Sequence, residues 1–493
     1  MKKVFLLTIL ALLFLPACLP AIQEKESTPQ QNPTPTADPA DRSIYKDGLA
    51  PAYQSVLNEL PTASLYEIHF TIEGDLYHVK GSETVTYTNA EDIALNEIKF
   101  RLFPNILGGE MHVDEVNAGG TIIVPNYTLD DSLLTVPLKL PLQPKESITL
   151  SMDFTVTVPQ SVELNYGVQA YFDEVLTLAH AYPMIAVYGD EGWNAEIPPQ
   201  SGDVTYADMS FFHVTVDAPK ELVLVSVGRE IHRHAERNGN RQTVQYAAGP
   251  VRDYYLAASP NYEVVTKEAN GVTIRFYAPA DQKSGAERTL EIAAKSIEVF
   301  ENRYAAYPYA ELDFVSTPTL ALGIEYPGMI AIAERIVSPY HEYLEGTVAH
   351  EVGHQWFYNL VGNDQLDDPW LDESLTQFAT LQYFSDQYGQ SGYDGFRYSL
   401  EGRWSRTNNA KIPVGLPVRD YKDIEYGSIV YGRGGLFFEA LRDEMGSDNF
   451  DVFIKAYVKN NSWDIATPQK MQEFAEQNCA CDLTALFNDW IYP

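Results

Sequence analysis

His350-Glu351-Val352-Gly353-His354, followed nineteen residues later by Glu373, is the stretch from which the rest of this chain is read. Residues four apart stack on one face of an α-helix, so the imidazoles of His350 and His354 converge on a single metal ion, with Glu351 beside them and free for chemistry. Two histidines and one carboxylate are the ligand set of a catalytic zinc, one ion per chain; its fourth position is left for water, whose pKa the metal lowers to about 7. Glu351 is then placed to take that water's proton as general base. A structural zinc is disfavoured, because thiolates usually fill such sites and no cysteine is close in sequence.

The surroundings suit such a site. Leu344, Val348, Val352, Phe357 and Leu360 recur at roughly helical spacing, which predicts a partly buried helix between Tyr343 and Val361. A second helical pattern carries Glu373, Leu375, Phe378, Ala379, Gln382 and Tyr383. Asp368-Pro369 reads as its N-cap and first helical position, and Gly389 as its end. A loop through Gly362-Asn363-Asp364 lets the two helices fold back antiparallel and brings Glu373 to the histidines.

Upstream the period is two. Tyr66, Ile68, Phe70 and Ile72 alternate on one face, as do Ile148, Leu150, Met152, Phe154, Val156 and Val158. Turn residues punctuate these runs at Glu73-Gly74-Asp75, Gly119-Gly120 and Asn238-Gly239-Asn240, which predicts an all-β domain of packed or saddle-shaped sheets over residues 44–264. Seven of the ten histidines lie in it. His232 and His234 share a strand face but have no evident carboxylate or thiol partner, so a solvated face is expected. Near Glu287 the period becomes helical through Leu290, Ile292, Ala293, Ile297 and Phe300. Helical stretches follow at Leu436 to Met445, Phe450 to Lys459, Pro468 to Gln477 and Leu483 to Trp490, within a second domain over residues 265–493. The expected class is α+β.

The N-terminus reads as an export signal: Lys2-Lys3, twelve almost wholly apolar residues from Val4 to Leu15, then Pro16-Ala17-Cys18. The apolar run is too short to span a bilayer, which takes about twenty residues. Residues 1–18 resemble a bacterial lipoprotein signal, implying an exported protein on the outer face of a membrane through a lipid on Cys18; ordinary secretion is the alternative. Residues 19–43, with Pro20, Pro29, Pro33, Pro35 and Pro39, cannot bury a core and read as an extended tether. Sixty-eight acidic against thirty-four basic side chains, a net charge of −34, argue against a nucleic-acid partner. Cys479 and Cys481 are as well read as free thiols as a bridge, since a ring closed two residues apart is tight.

Several segments together resemble the zinc aminopeptidases related to aminopeptidase N and the leukotriene hydrolase. Trp370-Leu371-Asp372-Glu373-Ser374 is similar to that family's Trp-Leu-Asn-Glu-Gly, and Tyr431-Gly432-Arg433-Gly434-Gly435 to its Tyr-Glu-Lys-Gly-Ala. Leu322-Gly323-Ile324-Glu325-Tyr326 falls where the family has Gly-Ala-Met-Glu-Asn, and Tyr182-Pro183-Met184 with Gly192-Trp193 matches its β region in character. The resemblance implies a β domain followed by a thermolysin-like, mainly helical domain, acting on peptides with a free N-terminus. It implies that Glu325, with Gly323 beside it, binds the substrate's α-amine and that Tyr431 donates a hydrogen bond to the developing oxyanion. Arg433 stands where the family has Lys and carries no expected catalytic role. Ile324 and Tyr326 depart from the family's Met and Asn, at the first subsite. Two other functions fit the same residues: an endopeptidase in which Glu325 reads no N-terminus, and a surface lipoprotein that binds peptides without turnover.

Overall fold

The computed structural model describes residues 41–493 apart from 190, 200, 201, 203, 204 and 236–238. The export signal, Cys18 and nearly all of the tether lie outside the described residues, as does Asn238 of one expected turn.

The alternating segments form the strands their pattern requires. Ser64–Ile72 buries Tyr66, Ile68, Phe70 and Ile72, and Ser147–Thr157 buries Leu150, Met152, Phe154 and Val156, each turning its polar positions outward. These strands belong to an eight-stranded sheet in the order Arg229–Ala235, Arg241–Val251, Ser210–Pro219, Ser64–Ile72, His78–Thr88, Ser147–Thr157, Glu110–Ala118, Thr121–Ile123. Every pairing in it is antiparallel except that of Ser64–Ile72 with Ser210–Pro219. His232 and His234 sit on its edge strand, exposed, as expected of a solvated face. Two four-stranded sheets and a two-stranded one, Tyr188–Gly189 with Gly192–Trp193, complete the described β-rich half. One of them pairs Val175–Ala179 with Tyr255–Ser259, a register that matters below.

From Glu263 the strands change sheet. Glu263–Ala269, Val272–Ala278, Glu311–Thr317, Met329–Ala333 and Gly323–Ile324 form a mixed five-stranded sheet with Gly323–Ile324 at its edge. Helix α1, Lys283–Arg303, packs on it through Leu290, Ile292, Ala293, Ile297 and Phe300. Helix α2 is Leu344–Gly353 and α3 is Glu373–Ser405. The last segments are helices at Gly434–Met445, Ser447–Asn461, Pro468–Cys479 and Thr484–Trp490. One continuous apolar core runs from Leu49 to Ile491, through both halves.

Two local expectations are corrected, and the open state of the cysteine pair is decided. The first helix does not reach Val361: after Gly353 the amides of Gln355 and Trp356 bond three residues back, Tyr358 takes φ 111°, and its amide bonds forward to the Val361 carbonyl. Phe357 and Leu360 are therefore buried from an irregular turn, not from a helix face. The second helix begins at Glu373, capped by Asp372, whose carboxylate accepts from the Glu373 amide; Asp368-Pro369 form a preceding turn that receives the Leu371 and Glu373 amides. Gly389, with φ 61° and ψ −148°, does interrupt that helix as expected. Cys479 and Cys481 are joined as a disulfide, because Ala480 between them adopts left-handed φ 52° and brings their Cα atoms to 5.1 Å.

The two halves are stapled by Arg252. Its buried guanidinium donates to the carbonyls of Ala207, Tyr358, Asn359 and Asp464, three of them in the helical half. Gly362 packs against that guanidinium, where any Cβ would overlap it.

Candidate metal centre and cleft

Helix α2 carries His350, Glu351 and His354 at its C-terminal end, and α3 opens on Glu373. His350 Nε2 lies 3.1 Å from His354 Nε2 and 3.1 Å from Glu373 Oε2, and His354 Nε2 lies 3.4 Å from the same oxygen. A tetrahedral ion with ligand bonds of about 2.0–2.1 Å separates its ligand atoms by about 3.3 Å. Side chains at these spacings are therefore placed to hold one zinc, and the atoms around them fit: Phe357 O lies 3.0 Å from His354 Nδ1, and Tyr431 donates to Glu373 Oε1 at 2.6 Å, which leaves Oε2 facing the histidines. Burial would raise the Glu373 carboxyl, but His354 and His350 hold it well below the ordinary range. Burial pushes the His350 imidazole down to about 4.

Glu351 is 4 % exposed, and its Oε2 has no hydrogen-bond partner in the protein. Burial, then the Glu325 carboxylate, drives its pKa well above the usual carboxylate range. Gly323 explains how Glu351 is accommodated: a Cβ at position 323 would fall 2.5 Å from Glu351 Oε1. Glu325, two residues on, is also buried and shifted upward, by burial and by Glu373, and accepts from Gln365 Nε2 at 3.1 Å.

Tyr431 sits in a π-helical turn, Ile429–Arg433, packed on α3. Ser374 Oγ donates to the Val430 carbonyl at 2.7 Å, and any Cβ on Gly434 would overlap that Oγ, so the small residues after Tyr431 set its approach to Glu373. Arg433 points away from the site. Its guanidinium donates to the carbonyls of Ile412, Asp489 and Trp490.

All the sequence-derived residues, Gly323, Glu325, His350, Glu351, His354, Glu373 and Tyr431, line one cleft of about 890 Å³. Sequence reading missed several neighbours. Gln377 stands one helical turn after Glu373, with its Nε2 3.3 Å from His350 Nδ1 and its Oε1 accepting from Arg403 at 2.7 Å. The four-residue step from Glu373 is the signal that points to it. Gln365, which also donates to Asp372 at 2.8 Å, gave no such signal.

Residues 288–490 match the Peptidase family M1 domain. The M1 match is accompanied by relatives: Aminopeptidase M1 of Arabidopsis thaliana is 24% identical over 304 residues, covering 57% of this chain and 33% of that protein. Leucyl aminopeptidase of Saccharolobus solfataricus is 26% identical over 297 residues, covering 57% of this chain and 38% of its own. The chain thus spans little more than a third of the length of these relatives. An M1 zinc metallopeptidase from Deinococcus radiodurans shares the fold with a TM-score of 0.66 at 19% identity, covering 91% of this chain and 95% of that one. A mutant of an M1 zinc metallopeptidase from the same organism, bound to a Tyr-Ser-Ala substrate, gives 0.65 at 19% identity, covering 87% of this chain and 93% of that one. The M1 fold places a β-rich region before a helical domain, as in this chain.

Proposed function

We propose that this protein removes N-terminal residues from peptides, with one zinc held by His350, His354 and Glu373. The observation that carries the reading is the meeting of those three ligand atoms with an unpartnered carboxylate, Glu351, and a second buried carboxylate, Glu325, in one cleft. Zinc, when bound, polarises a carbonyl and lowers the pKa of water.

The chain's own residues do the rest. Glu351, whose Oε2 has no partner in the protein, is placed to take a proton from water and pass it to the leaving amine. Tyr431, on turning its one hydroxyl proton away from Glu373 Oε1, would offer it to the oxygen on which charge develops. Glu325 pairs with the substrate's ammonium, whose positive charge offsets the crowding of Glu325, Glu351 and Glu373, and so fixes which peptide bond reaches the metal. The Tyr-Ser-Ala complex of the Deinococcus radiodurans neighbour supports a peptide substrate for the same fold.

The test compares one peptide with its N-acetylated form, alongside metal analysis. Cleavage confined to the free amine, with about one zinc per chain, is expected. Equal cleavage of both forms makes it an endopeptidase, and binding without cleavage that survives Glu351→Gln makes it a peptide-binding protein. We propose further, from the sequence of residues 1–18 alone, that the chain is exported and lipidated on Cys18. The mass of its mature N-terminus checks this: an unlipidated terminus at another residue refutes it.

A further inference from the structure

The cleft continues past Glu325 and Tyr326 to a second group of polar side chains, His180, Asp253, Thr205 and Tyr358, all but Tyr358 supplied by the β-rich half. The pairing of Ala179 with Tyr255 brings His180 and Asp253 side by side at the ends of their strands. They are 3 % and 1 % exposed. His180 Nε2 lies 3.0 Å from Asp253 Oδ2 and 3.1 Å from Thr205 Oγ1, and the Tyr358 hydroxyl donates to the same Oδ2 at 2.7 Å.

Two atoms of this group have no partner in the protein: Asp253 Oδ1 and His180 Nδ1. A carboxylate only accepts, so Asp253 Oδ1 is an unsatisfied acceptor. A buried acceptor without a donor is costly. The complement is a group rich in N–H donors. A guanidinium presents five in a planar fork and an ammonium three. Aromatic rings flank the group: Phe103 lies 5.0 Å and Tyr326 6.4 Å from the His180 ring, and Tyr326 stacks on Tyr255 at 3.9 Å. Of these rings Tyr326 lines the cleft, and its face suits the methylene stem of a long cationic side chain.

We propose that this group receives the side chain of the residue being removed and selects a cation, arginine before lysine. The proposal rests on the aminopeptidase reading, because it is Glu325, the residue before Tyr326, that would hold the same residue's amine.

The experiment measures kcat/KM of the zinc-loaded protein on arginyl, citrullyl, alanyl and leucyl anilides, citrulline being the uncharged isostere of arginine. Arginyl is expected to exceed citrullyl by tenfold or more, and Asp253→Asn to lower the arginyl-to-alanyl ratio at least tenfold. His180→Gln lowers it by a smaller factor and serves if Asp253→Asn does not fold, as judged by thermal melting. A leucyl preference in the wild type, or a ratio unchanged in a folded variant, overturns the proposal while alanyl turnover keeps the aminopeptidase reading. Thermal shift with argininamide against alaninamide separates the two claims further. If no anilide is cleaved but argininamide alone stabilises the protein, and Asp253→Asn abolishes this, the aminopeptidase reading falls and the pocket stands. If neither cleavage nor stabilisation occurs, both fall.

Discussion

Gly323→Ala tests whether the position of Glu351, and not merely its presence, governs turnover. The added Cβ would lie 2.5 Å from Glu351 Oε1 and 2.6 Å from both its Cδ and Cγ. Because the clash reaches Cγ, rotating the carboxylate tip does not relieve it. Reaching the 3.4 Å at which ordinary contact begins displaces the Glu351 side chain, or the edge strand Gly323–Ile324, by about 0.9 Å. A misplacement of about 1 Å at a catalytic group costs on the order of 10²-fold in rate, or about 2.7 kcal/mol of barrier. If the strand yields instead, Glu325 moves with it and KM rises as well. The assay is steady-state kinetics on an alanyl anilide, with zinc content and thermal melting measured on the same sample. Gly402→Ala is the control, since a Cβ there meets nothing within 4 Å. The expected result is a loss of about 10²-fold in kcat/KM with normal zinc. A Gly323→Ala protein within threefold of wild type, zinc-loaded, would refute the reasoning.

Three further outcomes follow from other parts of the fold. Glu83 is buried in the β-rich half with neither carboxylate oxygen hydrogen-bonded, and burial raises its pKa well above 4.5. The folded protein thus holds that proton more tightly than the unfolded chain, so the contribution of Glu83 to stability is full below about pH 4.5 and falls as pH rises, by up to about 1.4 kcal/mol per unit, until the folded-state value is passed. Denaturant melts across pH should show this slope flattened in Glu83→Gln; an unchanged slope contradicts it. Arg433→Met leaves three carbonyls without their donor and should lower stability by about 2–4 kcal/mol in urea melts while zinc content stays normal. Chelation should lower the melting temperature reversibly: zinc at about 1,000 times its Kd adds about 4 kcal/mol, and a chelator-insensitive melt would count against the three-ligand site.

How much of this was legible follows from the range of the forces involved. Tyr66 to Ile72 alternate because one sheet face is buried, and His350 to His354 lie one helical turn apart, so both patterns are local and readable. The start of α3 was misplaced because Pro369 is the conspicuous signal, whereas the chain first makes a turn there and Asp372 does the capping. The end of α2 was missed because nothing after Gly353 but the left-handed region at Tyr358 breaks the apolar spacing. His180 and Asp253 gave no signal at all: their contact joins residues 73 apart and exists only once two strands pair.

Arg252 carries a consequence for how a substrate arrives. Swinging the two halves apart would strip its guanidinium from carbonyls on both sides of the join, at about 1–3 kcal/mol for each group left unsatisfied. Arg252 therefore opposes a clamshell motion of the cleft. On the aminopeptidase proposal, such a cleft would admit slack chain ends more readily than termini already folded into a body.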